Sequence, residues 1–262
     1  MNITFQKYHG NGNDFVMILD LQNTIGLSAE QISLLCNRHF GIGADGLMLL
    51  RPSNDYDFEM LYYNSDGIPA SMCGNGGRCI AALAYDNGLA DKKLTFLASD
   101  GVHEALINKE IVKGKHFDVS LKMIDVEGVD RRLDGYFLNT GVPHFVKFVE
   151  RLESLDVFNE GRKIRNDPAF FPEGANVNFV QLKPDQLHVR TYERGVEDET
   201  LSCGTGVTAA AIVAFLASGV QELPIHTKGG NFAVKFEKKG KQFVNIWLSG
   251  SAEKVFEGEI AI

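Results

Sequence analysis

The stretch SMCGNGGRC, residues 71–79, sets a cysteine directly before three glycines crowded into four positions. The second half of the chain repeats the device as LSCGTGVTA, residues 201–209. A polar loop leads into each cysteine, and a helix-forming run follows, ending near Gly88 in one case and at Gly219 in the other. Further out, TFQKYHGNGNDFVMI (4–18) resembles GYFLNTGVPHFVKFV (135–149), each reading as strand, glycine turn, strand. KLTFLAS (93–99) with VHEALI (102–107) reads as a hairpin around Asp100 and Gly101, and PIHTKGG (224–230) with FAVKFE (232–237) reads as its counterpart. A duplication on this scale implies two similar α/β halves, because a solenoid would repeat every few tens of residues.

The rest of the chain fits that plan. Ser28 followed by Gln31 is a capping-box pattern, starting an amphipathic helix through Ile32, Leu35 and Cys36. The turn GIGADG (41–46) leads to the apolar strand LMLL, and FEMLYY (58–63) is a strand ending at Asn64. FDVSLKMI (117–124) and LHVRTY (187–192) are further strands. The pattern loosens over DVEGVDRRLDG (125–135), which suggests a domain boundary, and VEDET (196–200) reads as a solvated loop. KVFEGEIAI (254–262) has no counterpart in the first half and is free to cross back and complete it. The expected domains are therefore 1–127 completed by 250–262, and 128–249.

Composition bounds the function. A chain of 262 residues with 44% hydrophobic and 23% charged content is an ordinary globular protein. A net charge of −8 argues against nucleic acid or an anionic membrane as a partner. VTAAAIVAFLA (207–217) is too short to span a bilayer and reads as a buried helix. MNITFQKYHG lacks the apolar run of a leader, and four cysteines do not make a disulfide framework, so a reducing cytoplasm is expected.

The chemistry lies in the two thiols. The first turn of a helix carries unpaired N–H groups and a partial positive charge, which stabilise a thiolate or a bound carboxylate. Two such sites related by a repeat can clamp one tetrahedral carbon, one sulfur removing a proton while the other delivers one to the opposite face. That chemistry needs neither metal nor pyridoxal phosphate, and the seven histidines show no metal-ligand spacing. Cys36 and Cys79 lie among apolar neighbours and are expected in the core.

Eight blocks in order, HGNGNDFV, GIGADG, YNSDG, MCGNGGRC, GVPH, GANVNF, YERG and SCGTG, closely resemble the diaminopimelate epimerase family over nearly the whole chain. The resemblance implies an α/β (α+β) protein of two pseudo-symmetric domains, each a curved, mostly antiparallel sheet wrapped around a central helix. It implies a cytoplasmic homodimer that needs no cofactor and takes a small amino-acid substrate, in the biosynthesis of lysine and peptidoglycan. Cys73 and Cys203 match the catalytic thiol pair. Gly74, Asn75, Gly204 and Thr205 match the cradle for the reacting carboxylate. Asn13, Asn64 and Asn176 match the family's substrate-binding asparagines, Glu193 and Arg194 match the pair that grips the distal amino-acid end, and His144 and Glu193 match residues near the thiols. An amino-acid group at each end of the substrate calls for this mixture of guanidinium, carboxylate and amide oxygens.

The chain departs from the family's pattern at Val142, where many members carry asparagine, at Gly46, where some carry glutamine, and by one extra residue before Cys203. Proline racemase and its hydroxyproline relatives also use paired cysteines, but they carry a histidine where this chain has Asn75. A thiol redox protein is the alternative from another class, since low-pKa thiols close together form disulfides readily. Read by themselves, Asn13, Asn64 and Asn176 are also compatible with turn positions.

Overall fold

The computed structural model describes residues 2–262. The chain divides into two compact units, the first running to Leu121 and joined by Gly250–Ile262, the second spanning Lys122–Ser249.

In the first unit β1 (Asn2–Gly10) and β2 (Asn13–Leu19) form a hairpin closed by Asn11 and Gly12. Both turn residues have positive φ (52° and 88°), the type I′ geometry that Asn-Gly favours. α1 (Ala29–Cys36) then crosses to β3 (Gly46–Arg51), which lies parallel to β2. The Ser28–Gln31 capping box is formed as expected: the Ser28 hydroxyl accepts from the Gln31 amide, and Gln31 Oε1 accepts from the Ser28 amide. β4 (Phe58–Asn64) pairs antiparallel with β3, and α2 (Gly74–Asp86) crosses to β5 (Lys93–Ala98), parallel to β4. β6 (Gly101–Val112) and β7 (His116–Lys122) add antiparallel strands. Parallel neighbours need a crossover, and here each crossover is a helix.

The second unit repeats this order. β8 (Asp130–Arg132), β9 (Gly135–Asn139) and β10 (Pro143–Phe148) run antiparallel. α3 (Val157–Arg165) crosses to β11 (Asn176–Leu182), parallel to β10, and β12 (Leu187–Glu193) pairs with β11. β13 (Asp198–Thr200) folds back on β12. α4 (Gly204–Ser218) then crosses to β14 (Ile225–Thr227), parallel to β12, and β15 (Gly230–Lys239) completes the hairpin.

The last strand, β16 (Gln242–Ala261), serves both units. Residues Glu253–Ala261 pair with β1, and Ser251–Glu253 with β7, so the sheet of the first unit closes on itself around α2. Each sheet is thus mostly antiparallel and wraps a central helix buried on all sides. Asn75–Ala84 are all buried in α2, as are Val207–Ala210 and Ile212–Ala214 in α4. α1 and α3 pack in separate apolar layers, α1 through Ile32 and Leu35, α3 through Val157 and Ile164.

Two expectations need correction. Residues 125–135 hold a strand, β8, where only loosened pattern was read. VEDET is a solvated turn only at Val196 and Glu197, because β13 ties Asp198–Thr200 to β12 through Thr191↔Thr200 and Tyr192↔Glu199. Arg190 of β12 holds Glu199 with two hydrogen bonds of 2.6 and 2.7 Å, and Lys228 adds an ion pair at 2.8 Å. Burial opposes ionisation of Glu199, but these two cations hold its carboxyl below the usual range. Arg190 also donates to the carbonyls of Leu152 and Leu155, so one guanidinium fixes the approach to Cys203.

Two candidate thiol sites at helix N-termini

Cys73 and Cys203 are the N-cap residues of α2 and α4. Each has extended backbone, and each carbonyl accepts the first helical bond, from Gly77 N–H at 2.7 Å and from Val207 N–H at 2.8 Å. Neither sulfur caps its own helix, so both side chains remain at the positive end of a buried dipole. Cys73 is half-buried and Cys203 is buried at 7% exposure. Cys36 and Cys79 lie in the core, where burial pushes the Cys36 thiol up to about 11 and the Cys79 thiol further, which removes both from thiolate chemistry.

The glycines after the cysteines do separate jobs. A Cβ on Gly74 would meet nothing within 4 Å, leaving room beside the first turn of α2. Gly76 instead lets the helix press on its sheet, since a Cβ there would run into Met48, and a Cβ on Gly77 would crowd Met72 of the preceding loop and Leu121 of β7. Gly206 lets α4 rest on Asn178 in the same way.

Around Cys73 a chain of amides is oriented by charge at both ends. Arg78 is fully buried, and its Nη2 donates to Oδ1 of Asn11 and of Asn75, each at 2.8 Å. A guanidinium only donates, so Asn75 must turn its Nδ2 the other way, toward Asn13 Oδ1 at 3.4 Å. Asn13 Nδ2 in turn donates to the Asp45 carboxylate at 2.7 Å, which can only accept. Asn13 Oδ1 therefore faces Cys73 Sγ at 3.5 Å, with the thiol as donor. Asp14 supports this end: burial alone would raise its carboxyl, but Arg38 and Lys7 hold it well below the usual range. Burial pushes the Arg78 guanidinium down to about 10, which leaves it charged at neutrality.

Around Cys203 the groups are mostly neutral. Thr205 Oγ1 lies 3.4 Å from the sulfur, and the Thr205 carbonyl accepts from Thr140 Oγ1 at 2.9 Å. His144 is fully buried at the start of β10; burial first, and then Arg194, pushes its imidazole down to about 3. Asn176 Oδ1 accepts from the Arg194 amide at 2.7 Å, which fixes the backbone of YERG beside it, and Arg194 Nη1 donates to the Glu173 carbonyl. Burial raises the Glu193 carboxyl, with the Thr200 hydroxyl opposing.

The structure brings Asn13, Gly74 and Asn75 together at Cys73 and places Gly204 and Thr205 beside Cys203. Asn64 is exposed at the end of β4, opposite Gly46 in the register. A side chain at Gly46 would collide with Tyr62 and the Tyr63 carbonyl, so glycine is required there in this chain. Val142 sits in the three-residue β9–β10 turn, where the first unit has the two-residue Asn11-Gly12 turn. Arg78, Asp45, Asn178 and Thr140 join the sites only in the folded structure. Arg78 carried the one available signal, a charged residue inside an otherwise apolar helix.

Residues 5–119 and 136–255 match the diaminopimelate epimerase family. The chain is 48% identical to a diaminopimelate epimerase of Flavobacterium psychrophilum, over 97% of this chain and 98% of that one. It is 41% identical to one from Aquifex aeolicus, over 98% and 97%. Among solved structures it resembles a PhzF-family phenazine biosynthesis protein from Bacillus anthracis (TM-score 0.74, 17% identity, all of both chains covered). It also resembles a hydroxyproline epimerase from Agrobacterium vitis (TM-score 0.68, 17% identity, 100% of this chain and 93% of that one). At such identities these structures speak to the fold, a pair of sheet-wrapped helices, while the sequence matches decide the family: the chain belongs to the diaminopimelate epimerases.

Proposed function

We propose that this protein is a cofactor-independent epimerase that inverts one Cα of diaminopimelate, with Cys73 and Cys203 as its two proton carriers. The observation that carries the reading is the duplicated cysteine N-cap on a buried helix, within a chain of this family. One thiolate takes the Cα proton and becomes a thiol. The other thiol gives its proton to the opposite face and becomes a thiolate, so charge balances and the two exchange roles in the reverse direction. The reaction requires one sulfur on each face of the carbon.

The helix N-termini at Gly74–Asn75 and Gly204–Thr205 stabilise the reacting carboxylate and the negative charge that grows on it. Fixed donors of this kind contribute about 2.7–4 kcal/mol each in comparable oxyanion sites. Asn64, Asn176, Glu193 and Arg194 bind the unreactive amino-acid end, and Asn13 binds substrate beside Cys73. The protein acts in the cytoplasm as a homodimer, in lysine and peptidoglycan precursor synthesis. Among the described residues no helix is long and apolar enough to cross a membrane.

Incubation with diaminopimelate in D₂O, without added cofactor, tests the reading. Deuterium is expected at one Cα, and Cys73→Ser or Cys203→Ser should each lower inversion by at least about 100-fold, the lower bound for a positioned proton carrier. No deuterium in either isomer sinks the proposal, and deuterium in free proline instead would favour a proline-type racemase.

A further inference from the structure

Asn178 stands inside β11, fully buried, and belongs to none of the roles assigned above. Its neighbours settle which way its amide points. The Phe145 carbonyl can only accept, so the atom 3.1 Å from it is Nδ2. At the other end Oδ1 accepts from the Thr191 hydroxyl at 2.9 Å. The same Nδ2 lies 3.0 Å from Nδ1 of His144. An amide N–H aimed at Nδ1 requires a lone pair there, which excludes both the Nδ1–H tautomer and the imidazolium. The ring proton is therefore on Nε2.

That Nε2 is buried and meets no hydrogen-bond partner among the described residues. A buried donor without a partner is costly, so native structures rarely keep one without a use. The ring is close enough to Arg194 for the guanidinium to act on its charge. Asn178 also floors the Cys203 helix, because a Cβ on Gly206 would lie 2.3 Å from its Oδ1. One amide thus fixes both the imidazole and the seating of α4.

We propose that Asn178 is a positioning residue that holds His144 as the Nε2–H tautomer, and that this N–H donates to a carboxylate oxygen of the bound amino acid. The proposal rests on the substrate class inferred above. It makes His144 a hydrogen-bond donor; while the Asn178 contact holds, Nε2 cannot take a proton from a thiol.

Long-range ¹H–¹⁵N correlation on ¹⁵N-histidine protein tests this, with the His144 signals identified by their loss in His144→Gln. The wild type should show the Nε2–H pattern from pH 8 down to pH 5. An Nδ1–H or imidazolium pattern there overturns the proposal, whatever the variants do. In Asn178→Asp, Nδ1 should gain a proton, and kcat/KM for diaminopimelate should fall about 10- to 100-fold, the usual cost of losing an orienting partner. If Asn178→Asp keeps the wild-type pattern, Asn178 does not position the ring. Saturating diaminopimelate with the Cys73→Ser protein should shift the Nε2-bound proton, and an unmoved proton would remove the donor role. A wild type that shows the Nε2–H pattern but no deuterium incorporation would instead separate a failed substrate assignment from a sound tautomer assignment.

Discussion

The two cysteine-capped helices share a backbone plan and differ in the layer beneath it. α2 itself carries a buried cation, Arg78, tied to Asn11, Asn75 and the carbonyls of Gly74 and Ser251, and beyond it lies the charged group of Asp45, Asp14, Arg38 and Lys7. Under α4 the position matching Arg78 is Thr208, whose hydroxyl donates to the Gly204 carbonyl at 3.0 Å. Its supporting layer is Asn178, His144 and Thr191, without a formal charge. Duplication preserved what both halves need, a sulfur at a helix end, and left the second layer free to diverge. A symmetric reaction can therefore be run by two chemically unlike supports.

Removing the matched pair at 78 and 208 is the strongest way to break that comparison. Arg78→Met removes the donor shared by two amide oxygens and the carbonyls of Gly74 and Ser251, and at about 1–3 kcal/mol per group a loss of about 4 kcal/mol or more is expected. Thr208→Val removes one local hydroxyl bond and should cost about 1 kcal/mol or less. Urea unfolding of both variants reads the difference; equal losses would mean that the charge beneath α2 has no special structural weight. Arg78→Met should also free the Asn75 amide to turn, so its kcat should fall even where the protein remains folded, while Thr208→Val should keep most of its activity.

The repeat made much of this fold legible, because apolar periodicity and glycine punctuation are local signals. The Ser28 cap, both cysteine helices and the hairpins after them follow from such signals. α3 did not, since VFNEGRKIR is largely polar with a glycine at its centre. That glycine is there for packing, as a Cβ on Gly161 would meet Tyr192 at 2.4 Å. The duplication could have found it: α1 bridges parallel strands in one half, so a helix is required between β10 and β11, and the Asp156–Asn159 cap sits where Ser28–Gln31 does in its counterpart. β13 was hidden because it is three residues long and two of them, Asp198 and Glu199, disfavour strands, while Glu199 is held by Arg190 on the neighbouring strand. At the site, the types and positions of the cysteines were readable, but the amide orientations were not. Those depend on which neighbours can only donate or only accept, and Arg78 and Asp45 meet Asn75 and Asn13 only in the fold.

Glycine replacements probe the same contrast on a smaller scale. At Gly76 a new Cβ would meet the flexible end of Met48, which can move aside, and alanine recovers about 1 kcal/mol of helix propensity. At Gly206 it would meet Asn178 Oδ1, and Asn178 is held by three hydrogen bonds. Gly206→Ala should therefore cost about 1–3 kcal/mol as overpacking, and Gly76→Ala much less. Gly74→Ala separates the uses: with open space around it, stability should hold while a methyl beside the proposed carboxylate cradle lowers kcat/KM. Thermal unfolding together with the deuterium assay measures all three. A Gly206→Ala protein as stable as the wild type would show that the α4 support yields as easily as Met48 does.

Acid distinguishes the halves most finely. His144 titrates near 3 when folded, against about 6.5 in an unfolded chain, because burial and then Arg194 oppose its charge. Between these values the unfolded chain binds a proton that the folded one does not, so stability falls as pH drops from 6.5 toward 3, by up to about 1.4 kcal/mol per pH unit. His188, also in the second unit, is shifted the same way by burial. In the first unit, Asp14 stays ionised through Arg38 and Lys7, so its contribution is lost only as pH falls below the ordinary carboxylate range, about 3.9. Native-state hydrogen exchange at pH 7 and pH 5 should therefore show protection falling first in residues 122–249, and His144→Gln should flatten that loss. Equal losses in both units, or a His144→Gln protein with the wild-type slope, would mean that the neutral layer under α4 is not what makes this half acid-sensitive.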